Sequence, residues 1–447
     1  MLSGCVPNLG ARWGWESAVY KIASIEIAGF RGSDRTLRLP MDADVNFFIG
    51  RNGTGKTRLM NLLNFALSGD VRNLMQIEFR SVLFRLFRPR DRARPFIRIS
   101  RGTDEDGYID LTYELGTSSK AKPQTFRISA SDIGGPWMRR QYRLLTETRY
   151  YHTDEPSDLA RIKQSIDRLI QLSWISVHRA AMEAPEEREK RFESPVDRKA
   201  HQVARDFGVY FSVLDKAAAE ETDKFQQVYL LALISPSGFE ALSSLETVNP
   251  EDEKSAIRGM FAEFNIKSSV YASKLESFSK RMAKALANYD PKGPLEANDF
   301  LVLTDTIRIH DSVKEWHQLL KKRASIYAPK DTFVSILNGM LYKKRVSINA
   351  GNQPIFHSES GEELNLEQLS SGEKQLFILL GETLLQKQQP CIFMADEPEI
   401  SLHIDWQERL VPSLRKINPN AQIVFATHSP DVVGAYGDNT IDLEKIG

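Results

Sequence analysis

The residues best suited to chemistry form a glycine-rich segment that fits a phosphate-binding pattern. From Gly50 to Thr57 the chain reads GRNGTGKT, which matches G-x-x-x-x-G-K-[ST] without a mismatch. In this pattern backbone N–H groups surround the phosphates of a nucleotide, the lysine (Lys56) neutralises the β and γ oxygens, and the threonine hydroxyl ligates Mg²⁺. An apolar run from Val45 to Ile49 precedes the segment, and leucines at helical spacing follow it. We therefore predict a strand, a phosphate-binding loop and a helix, in that order.

A second candidate site lies where two adjacent carboxylates follow an apolar run. Cys391 to Ala395 is predicted to be a buried strand, and Asp396 and Glu397 stand at its carboxyl end. Asp396 is placed to hold Mg²⁺ through water, and Glu397 to polarise an attacking water. The alternative is a buried strand that runs into an acidic helix cap. The glycine-rich segment elsewhere in the chain favours the catalytic interpretation.

Two further motifs, together with the glycine-rich segment and the carboxylate pair, complete a set of four. The segment LSSGEKQ, from Leu369 to Gln375, leads into an apolar helix and presents a hydroxyl, backbone N–H groups and a positive dipole end. On its own it would be interpreted as a helix cap with a capping glutamate. Because it comes just before the carboxylate strand, we predict that it is the second half of a γ-phosphate clamp. His428, in ATHSP after the apolar run Gln422 to Phe425, can hydrogen-bond the γ-phosphate.

At these four motifs the chain resembles the ABC-type ATPase superfamily, and within it the soluble branch that contains the SMC, RecF and OLD (overcoming-lysogenization-defect) proteins. The narrower resemblance rests on LSSGE in place of the transporters' LSGGQ, and on DEPEISLH followed by ATHSP. It covers about residues 20–130 and 330–445, with a helical insert between them. It implies an α/β fold: an ABC-type P-loop NTPase head with an N-terminal β-subdomain and a helical or coiled-coil insertion.

The resemblance also implies roles for individual residues, with ATP and Mg²⁺ as the ligands. Glu397 and His428 would be catalytic, Thr57 and Asp396 would hold the metal, and Ser401 to His403 would be the D-loop. The resemblance assigns no individual contact with the nucleotide to Arg51 or Asn52, which are positions of the loop. It also does not identify which of Gln76, Gln141 and Gln171 would be the family's Q-loop glutamine. The implied nucleotide-binding residues are those of the Walker A loop and the signature turn: Gly50, Asn52, Gly53, Thr54, Gly55, Lys56, Thr57, Ser370, Ser371, Gly372 and Glu373.

In this superfamily the signature turn acts on ATP held by the opposite subunit, so the resemblance implies a head-to-tail homodimer or a higher homo-oligomer. OLD nucleases carry a C-terminal Toprim domain, which we do not expect in this chain because it ends soon after His428. A head of this kind is most similar to the ATPase component of two-gene antiphage systems of the PARIS (AriA-like) or Septu types. We therefore expect a sensor or scaffold that controls a separate effector protein. The alternative is an SMC/RecF-like ATPase that acts directly on DNA in repair or chromosome maintenance.

The pattern along the chain predicts four parts. Residues 1–20 are expected to be a leader, 21–150 the first half of the head, 151–330 a helical insertion and 331–447 the second half of the head. A hairpin is predicted over 22–39, strands over 96–128, an amphipathic helix from Leu159 to Leu172 and a short strand from Trp174 to Val177.

Within the insertion, two long helical segments are predicted, Asp197–Ile234 and Asp252–Ala287, and a separate helix follows Asp331. A projecting antiparallel arm and a packed lid both remain open for the insertion. It contains no cysteine, which excludes a zinc hook at an arm tip.

Composition narrows the possible partners. Lys plus Arg equals Asp plus Glu at 59 each, so any case for nucleic acid depends on a local patch. Two cysteines and the absence of an apolar run near 20 residues favour a cytoplasmic chain without a membrane partner. One segment is basic and interleaved with phenylalanines, which suits a nucleic acid, a protein partner or the solvated face of a sheet. Its arginines are Arg80, Arg85, Arg88, Arg90, Arg92, Arg94, Arg98 and Arg101.

Overall fold

The computed structural model describes residues 19–89, 91–105, 107–117, 122–130, 158–175, 194–234, 245–290, 293–294 and 296–446. The predicted leader lies almost wholly outside these residues. The chain divides into two compact units. One contains the described residues up to Gly208 together with those from Thr332 onward, and the other is Val209–Asp331.

Strands and helices are numbered in chain order. The strands are β1 (Lys21–Ala28), β2 (Thr36–Pro40), β3 (Val45–Ile49), β4 (Ser81–Phe87), β5 (Phe96–Thr103), β6 (Ile109–Gly116), β7 (Gln124–Ser129), β8 (Leu172–Ile175), β9 (Lys344–Ile348), β10 (Pro354–Ser358), β11 (Glu363–Leu364), β12 (Cys391–Asp396), β13 (Ala421–Ala426) and β14 (Thr440–Asp442). The helices are α1 (Lys56–Ser68), α2 (Val71–Leu74), α3 (Asp158–Asp167), α4 (Pro195–Ile234), α5 (Pro250–Glu263), α6 (Ser268–Asn288), α7 (Ala297–Met340), α8 (Ser371–Leu385), α9 (Ile404–Ile417), α10 (Pro430–Val433) and α11 (Leu443–Ile446).

A five-stranded parallel sheet forms the centre of the first unit, in the order β14-β3-β13-β12-β8. Its strands β3, β12 and β13 are near-continuous apolar runs whose residues are almost all buried. This is the composition that a parallel sheet covered on both faces requires. All the carboxyl ends lie on one edge, so the residues that follow β3, β12 and β13 meet there. The predicted mixed α/β class is confirmed.

An antiparallel sheet packs beside the central one, in the order β2-β1-β4-β5-β6-β7. The predicted hairpin forms as β1 and β2, with Ile25 opposite Leu39 and Ile27 opposite Leu37. The buried side chain of Gln422 on β13 joins the two sheets. It donates to the carbonyls of Ile22 and Asp42 at 2.7 Å each and accepts from the Ile22 N–H at 2.8 Å. It therefore satisfies main-chain groups of β1 next to a register shift between Ile22 and Ser24.

Residues 158–175, part of the range predicted for the insertion, belong to the first unit. Ile162 and Ile166 of α3 are buried in the core of the head, and β8 pairs in parallel with β12. The predicted amphipathic helix ends at Asp167, after which the chain enters β8. The predicted strand from Trp174 is β8, and its expected last residues, 176–177, lie outside the described part.

The second unit is helical, as the sequence predicted. Phe225, Met260 and Trp316 are buried in one of its cores, and the Phe225 and Trp316 rings meet edge-on at 5.6 Å between centroids. His310 is buried nearby, with Nδ1 against the Glu253 carboxylate and Nε2 3.2 Å from the Thr247 hydroxyl.

The prediction of a single long helix from Asp252 to Ala287 is wrong. The segment forms α5 and α6, because Asn265 adopts a left-handed conformation (φ 56°) after the end of α5, and the Ile266 N–H bonds back to the Phe261 carbonyl. Asparagine is one of the few residues that tolerates this helix-ending position. The separate helix predicted after Asp331 is instead the end of α7, which continues through Pro329.

In the part of the chain that the structure describes, no helix combines the length and apolar character needed to cross a membrane.

Candidate active site

The Walker A loop connects β3 to α1 at the carboxyl edge of the parallel sheet. Its three glycines all have positive φ, at Gly50 (148°), Gly53 (88°) and Gly55 (98°), which side chains rarely permit. Gly55 precedes the first turn of α1, and no described side chain caps that turn. No described atom lies within 4 Å of where a Cβ on Gly53 would stand. The first N–H groups of α1 thus have no side-chain cap among the described residues, and the loop leaves space beside Gly53, which fits an anionic ligand.

Lys56 is buried within this loop, with only 5% of its surface exposed. Its ammonium donates to the Gly50 carbonyl at 2.8 Å and to the Arg51 carbonyl at 3.3 Å. Burial lowers the pKa of Lys56 below its ordinary value, and the carboxylates of Glu397 and Asp396 act in the opposite direction. A buried ammonium held by neutral carbonyls can pair with a multiply charged phosphate, so these residues fit the nucleotide that the sequence implies.

The carboxylates and His428 converge on the same lysine. Asp396 ends β12, and the next residue, Glu397, adopts a left-handed backbone (φ 51°) while its N–H donates to the Ala426 carbonyl at 2.8 Å. His428 Nδ1 lies 3.5 Å from the Lys56 ammonium, and its Nε2 lies 3.8 Å from the Glu397 carboxylate. A left-handed non-glycine residue is strained by about 1–3 kcal/mol, and such residues cluster at functional sites. The structure therefore brings Lys56, Glu397 and His428 into one cluster.

Glu399 is a site residue that the sequence reasoning missed. Its Oε1 accepts from the Thr427 hydroxyl at 2.6 Å and from the His428 N–H at 2.9 Å. One carboxylate therefore ties the loop after β12 to the loop after β13 and fixes the main chain that carries His428. The available signal was a third carboxylate only two residues after Glu397.

Arg31 was missed as well. It lies in a short 3₁₀ turn after β1, in a left-handed conformation (φ 58°). Its guanidinium donates to the carbonyls of Gly53 (3.3 Å) and Thr54 (3.1 Å), so an exposed positive charge borders the Walker A loop. The spacing from Arg31 to the loop matches no pattern that we could have applied to the sequence.

The signature turn is built as a capping box at the start of α8. The Ser370 hydroxyl accepts from the Glu373 N–H at 3.3 Å, and the Glu373 carboxylate accepts from the Ser370 N–H at 2.7 Å. Glu373 also pairs with Lys344 at 2.8 Å. Burial alone would raise the pKa of Glu373, but the Lys344 ammonium and the Ser370 N–H lower it overall. The side chain of Glu373 thus stabilises the turn, whereas Ser370 and Ser371 are exposed.

The signature turn contacts the loop after Glu397. A Cβ on Gly372 would stand 2.3 Å from the Ser401 carbonyl oxygen, so only glycine permits this approach. The Gln375 amide donates to the Pro398 carbonyl at 2.7 Å. The structure therefore groups the signature turn with the predicted D-loop, and groups Lys56 with Glu397 and His428.

The arginine-rich stretch lies mainly on β4, β5 and the turn between them. Several of its guanidiniums already face carboxylates, which favours the solvated-face interpretation over a free nucleic-acid surface. The pairs are Arg80–Asp34 (2.9 Å), Arg85–Glu26 (3.2 Å), Arg88–Asp91 (3.1 Å) and Arg98–Glu114 (3.1 Å). Such exposed pairs add little stability, but they neutralise the charge that a nucleic acid would need.

Two curated relatives share part of this sequence. The retron Ec83 probable ATPase of Escherichia coli is 27% identical over 134 residues, which are 28% of this chain and 24% of the relative. The retron Vc95 probable ATPase of Vibrio cholerae serotype O1 biovar El Tor is 31% identical over 99 residues, 20% of this chain and 18% of the relative. The matched segments therefore span about a quarter or less of these relatives.

Among solved structures, the chain is similar to an Smc head domain with an extended coiled coil, bound to the C-terminal domain of ScpA, from Pyrococcus furiosus. That similarity has a TM-score of 0.42 at 15% identity and covers 93% of this chain and 91% of the other. An Smc head domain with a coiled coil and joint from Pyrococcus yayanosii gives 0.38 at 13% identity, with 93% of each chain covered.

A family model covers nearly the whole chain. The AAA ATPase domain model (AAA_15) matches residues 21–433, a span that contains the second unit and most of the first, including β1, the Walker A loop, the carboxylates after β12 and His428. The chain belongs to this AAA ATPase domain family.

Proposed function

We propose that this chain hydrolyses ATP at the cluster of Lys56, Glu397 and His428. The observation that carries the proposal is the convergence of these side chains from three loops, with His428 3.5 Å from the lysine and 3.8 Å from the glutamate. Lys56 would bind the β- and γ-phosphates, Glu397 would orient and polarise the attacking water, and His428 would hold the γ-phosphate. Thr57 and Asp396 would hold Mg²⁺, which when bound neutralises phosphate charge.

A second copy of the chain would complete the site. Ser370 and Ser371 are exposed at the positive end of α8, as a group that binds phosphate on another subunit must be. Two isoleucines beside the predicted D-loop are also exposed, Ile400 by 37% and Ile404 by 52%, and Ser401 between them is left-handed (φ 69°). Apolar side chains next to a polar site are typical of an interface, so a head-to-tail homodimer explains both features.

The proposal also includes a partner protein for the chain. We expect it to act as an ATP-dependent sensor or scaffold that controls a separate effector protein in bacterial antiphage defence, in the manner of PARIS or Septu ATPases. Both curated relatives are named as the probable ATPase of a retron, that is, as one component of a larger system, and this supports a chain that works with other components. Direct action on DNA is the less favoured role, because four of the arginines that would carry it, Arg80, Arg85, Arg88 and Arg98, are paired with carboxylates.

Hydrolysis is tested with Glu397→Gln, which keeps the size of the side chain and removes its charge. The variant should bind ATP with Mg²⁺ as the wild type does but turn over about 100-fold more slowly or worse, since general-base catalysis contributes that much. Glu105→Gln, at an exposed glutamate in the β5–β6 turn, is the matched control and should hydrolyse ATP normally. Normal turnover by Glu397→Gln would remove the catalytic assignment.

The dimer is tested by mixing two inactive variants. Lys56→Ala removes phosphate binding, and Ser370→Arg blocks the signature turn, so each should be inactive alone. A mixed head-to-tail dimer carries both defects in one site and leaves the other site intact. An equimolar mixture should therefore recover about a quarter of the wild-type rate if dimers form at random. No recovery, from variants that are folded, would contradict a site completed by a second copy.

The role in defence is tested in cells infected with phage. Cells that carry the chain with its neighbouring genes should show fewer plaques, and Lys56→Ala should restore plaque formation. A purified chain whose ATP hydrolysis rises strongly on addition of DNA, without phage protection, would instead favour the repair or chromosome-maintenance role.

A further inference from the structure

Arg51 lies at the centre of the Walker A loop. Its carbonyl accepts hydrogen bonds from the Thr54 N–H at 3.3 Å, from the Thr54 hydroxyl at 2.9 Å and from the Lys56 ammonium at 3.3 Å. The preceding peptide group, between Gly50 and Arg51, contacts the same lysine, because the Gly50 carbonyl accepts from the Lys56 ammonium at 2.8 Å. Whatever fixes the Gly50–Arg51 peptide group therefore also helps to fix the lysine and the phosphate-binding geometry.

The N–H of the Gly50–Arg51 peptide group donates to the carboxylate of a residue 393 positions later in the chain. Glu444 Oε1 lies 2.6 Å from the Arg51 nitrogen. Hydrogen bonds from an N–H to a charged acceptor are roughly twice as strong as those between neutral groups. The Glu444 side chain also approaches the Arg51 guanidinium, but at 4.0 Å and with the arginine side chain 90% exposed, that ion pair adds little.

Strand β14 delivers Glu444 to the loop. It pairs in parallel with β3, with Asp442 opposite Ile49, so the residues after both strands emerge side by side. Ile441 and Leu443 are buried in the core of the head, and the Asp442 carboxylate accepts from the Glu444 N–H at 3.0 Å. The backbone that carries Glu444 is thus held on a rigid element rather than on a free loop.

We propose that Glu444 is a positioning residue of the nucleotide site, which holds the Walker A loop open and ordered before ATP arrives. This inference rests on the proposed function. A loop with three glycines loses much conformational freedom on ordering, and a bond that orders it in advance strengthens ligand binding without touching the ligand. Because the carboxylate acts through the Arg51 N–H, its acceptor oxygen is the property that matters.

Three substitutions at Glu444 separate the acceptor oxygen from the charge. Glu444→Ala removes both, Glu444→Asp keeps the charge but withdraws it by one methylene, and Glu444→Gln keeps an oxygen that can accept from the N–H. In titrations with fluorescent mant-ATP and Mg²⁺, the Ala and Asp variants should bind about tenfold more weakly than the wild type, which is about 1.4 kcal/mol. The Gln variant should recover most of that affinity. Lys445→Ala, at the exposed neighbouring position, is the control and should bind like the wild type.

A second measurement uses the ligand-free protein. Hydrogen–deuterium exchange of the peptide spanning residues 50–57 should be faster in Glu444→Ala than in the wild type, and close to the wild type in Glu444→Gln. The turnover rate at saturating ATP should change little, since the effect is on binding. Wild-type protein that binds no nucleotide would overturn the proposed function itself. Wild-type binding with equal or tighter binding by Glu444→Ala, and unchanged exchange in the loop, would overturn the role of Glu444 alone.

Discussion

Removal of the Glu399 carboxylate should slow ATP hydrolysis while leaving ATP binding nearly intact. Its Oε1 accepts from the Thr427 hydroxyl and the His428 N–H at 2.6 and 2.9 Å, and these bonds hold the loop that carries His428. Without them, the imidazole is no longer fixed near Lys56 and Glu397. The Walker A loop contains neither bond, so the phosphates should still bind.

The structure sets the expected size of the effect. Each hydrogen bond to a charged acceptor contributes about 1.5–3 kcal/mol. If about half of the combined value of the two bonds is expressed in the transition state, the barrier rises by about 1.5–3 kcal/mol and turnover falls about 10- to 160-fold. Glu399→Ala should show this loss in the rate at saturating ATP, with the mant-ATP dissociation constant changed by no more than about twofold.

Two variants at the same contacts make the test specific. Glu399→Gln keeps an acceptor oxygen for both donors and should retain most of the rate, whereas Thr427→Val removes one of the two bonds and should give an intermediate rate. Thermal unfolding of each variant shows whether the head remains folded. Folded Glu399→Ala protein with a wild-type rate would refute the argument that this carboxylate positions His428.

Three further outcomes follow from buried groups. The Tyr113 hydroxyl is buried without a described hydrogen-bond partner, so Tyr113→Phe should raise the free energy of unfolding in urea by about 1 kcal/mol, and a decrease would reveal a hidden partner. Gln422→Leu leaves main-chain groups of Ile22 and Asp42 unsatisfied and should lower that free energy by about 3 kcal/mol or more, measured in the same way. Since burial lowers the pKa of Lys56, its ammonium loses its proton at a lower pH than an ordinary lysine. ATP affinity measured against pH should therefore be full below that lowered pKa and fall as the pH rises through it, and an affinity that stays constant up to the ordinary lysine pKa would contradict the assignment.

The parts of the site that could be predicted are those with a local signal in the sequence. The loop before α1 requires glycines at fixed offsets, and the carboxylates stand at the end of an apolar strand, so both motifs identify their own local structure. The class of fold followed from the same signals, because apolar strands and helices alternate around them.

The contacts that sequence reasoning missed join distant segments. Arg31, Glu399 and Glu444 act on loops from other elements, and no spacing rule relates a side chain to a partner that the tertiary fold brings to it. The break between α5 and α6 had a local signal, Asn265, but the regular apolar spacing on both sides concealed it. The continuation of α7 through Pro329 was missed for the opposite reason. A proline usually marks a helix boundary, but here the helix continues through it.

The strand order of the central sheet also determines at which stage of protein synthesis the site can form. β3 leaves the ribosome long before its neighbours β13 and β14, and the Gln422 bonds to β1 span 400 residues. The antiparallel sheet can form early from nearby hairpins, whereas the apolar β3 must wait for its partners. The nucleotide site should therefore appear only once synthesis has passed β14. A ribosome-bound fragment that ends before β13 would leave the apolar β3 without either of its neighbours, and unpaired apolar strands of this kind are prone to aggregate.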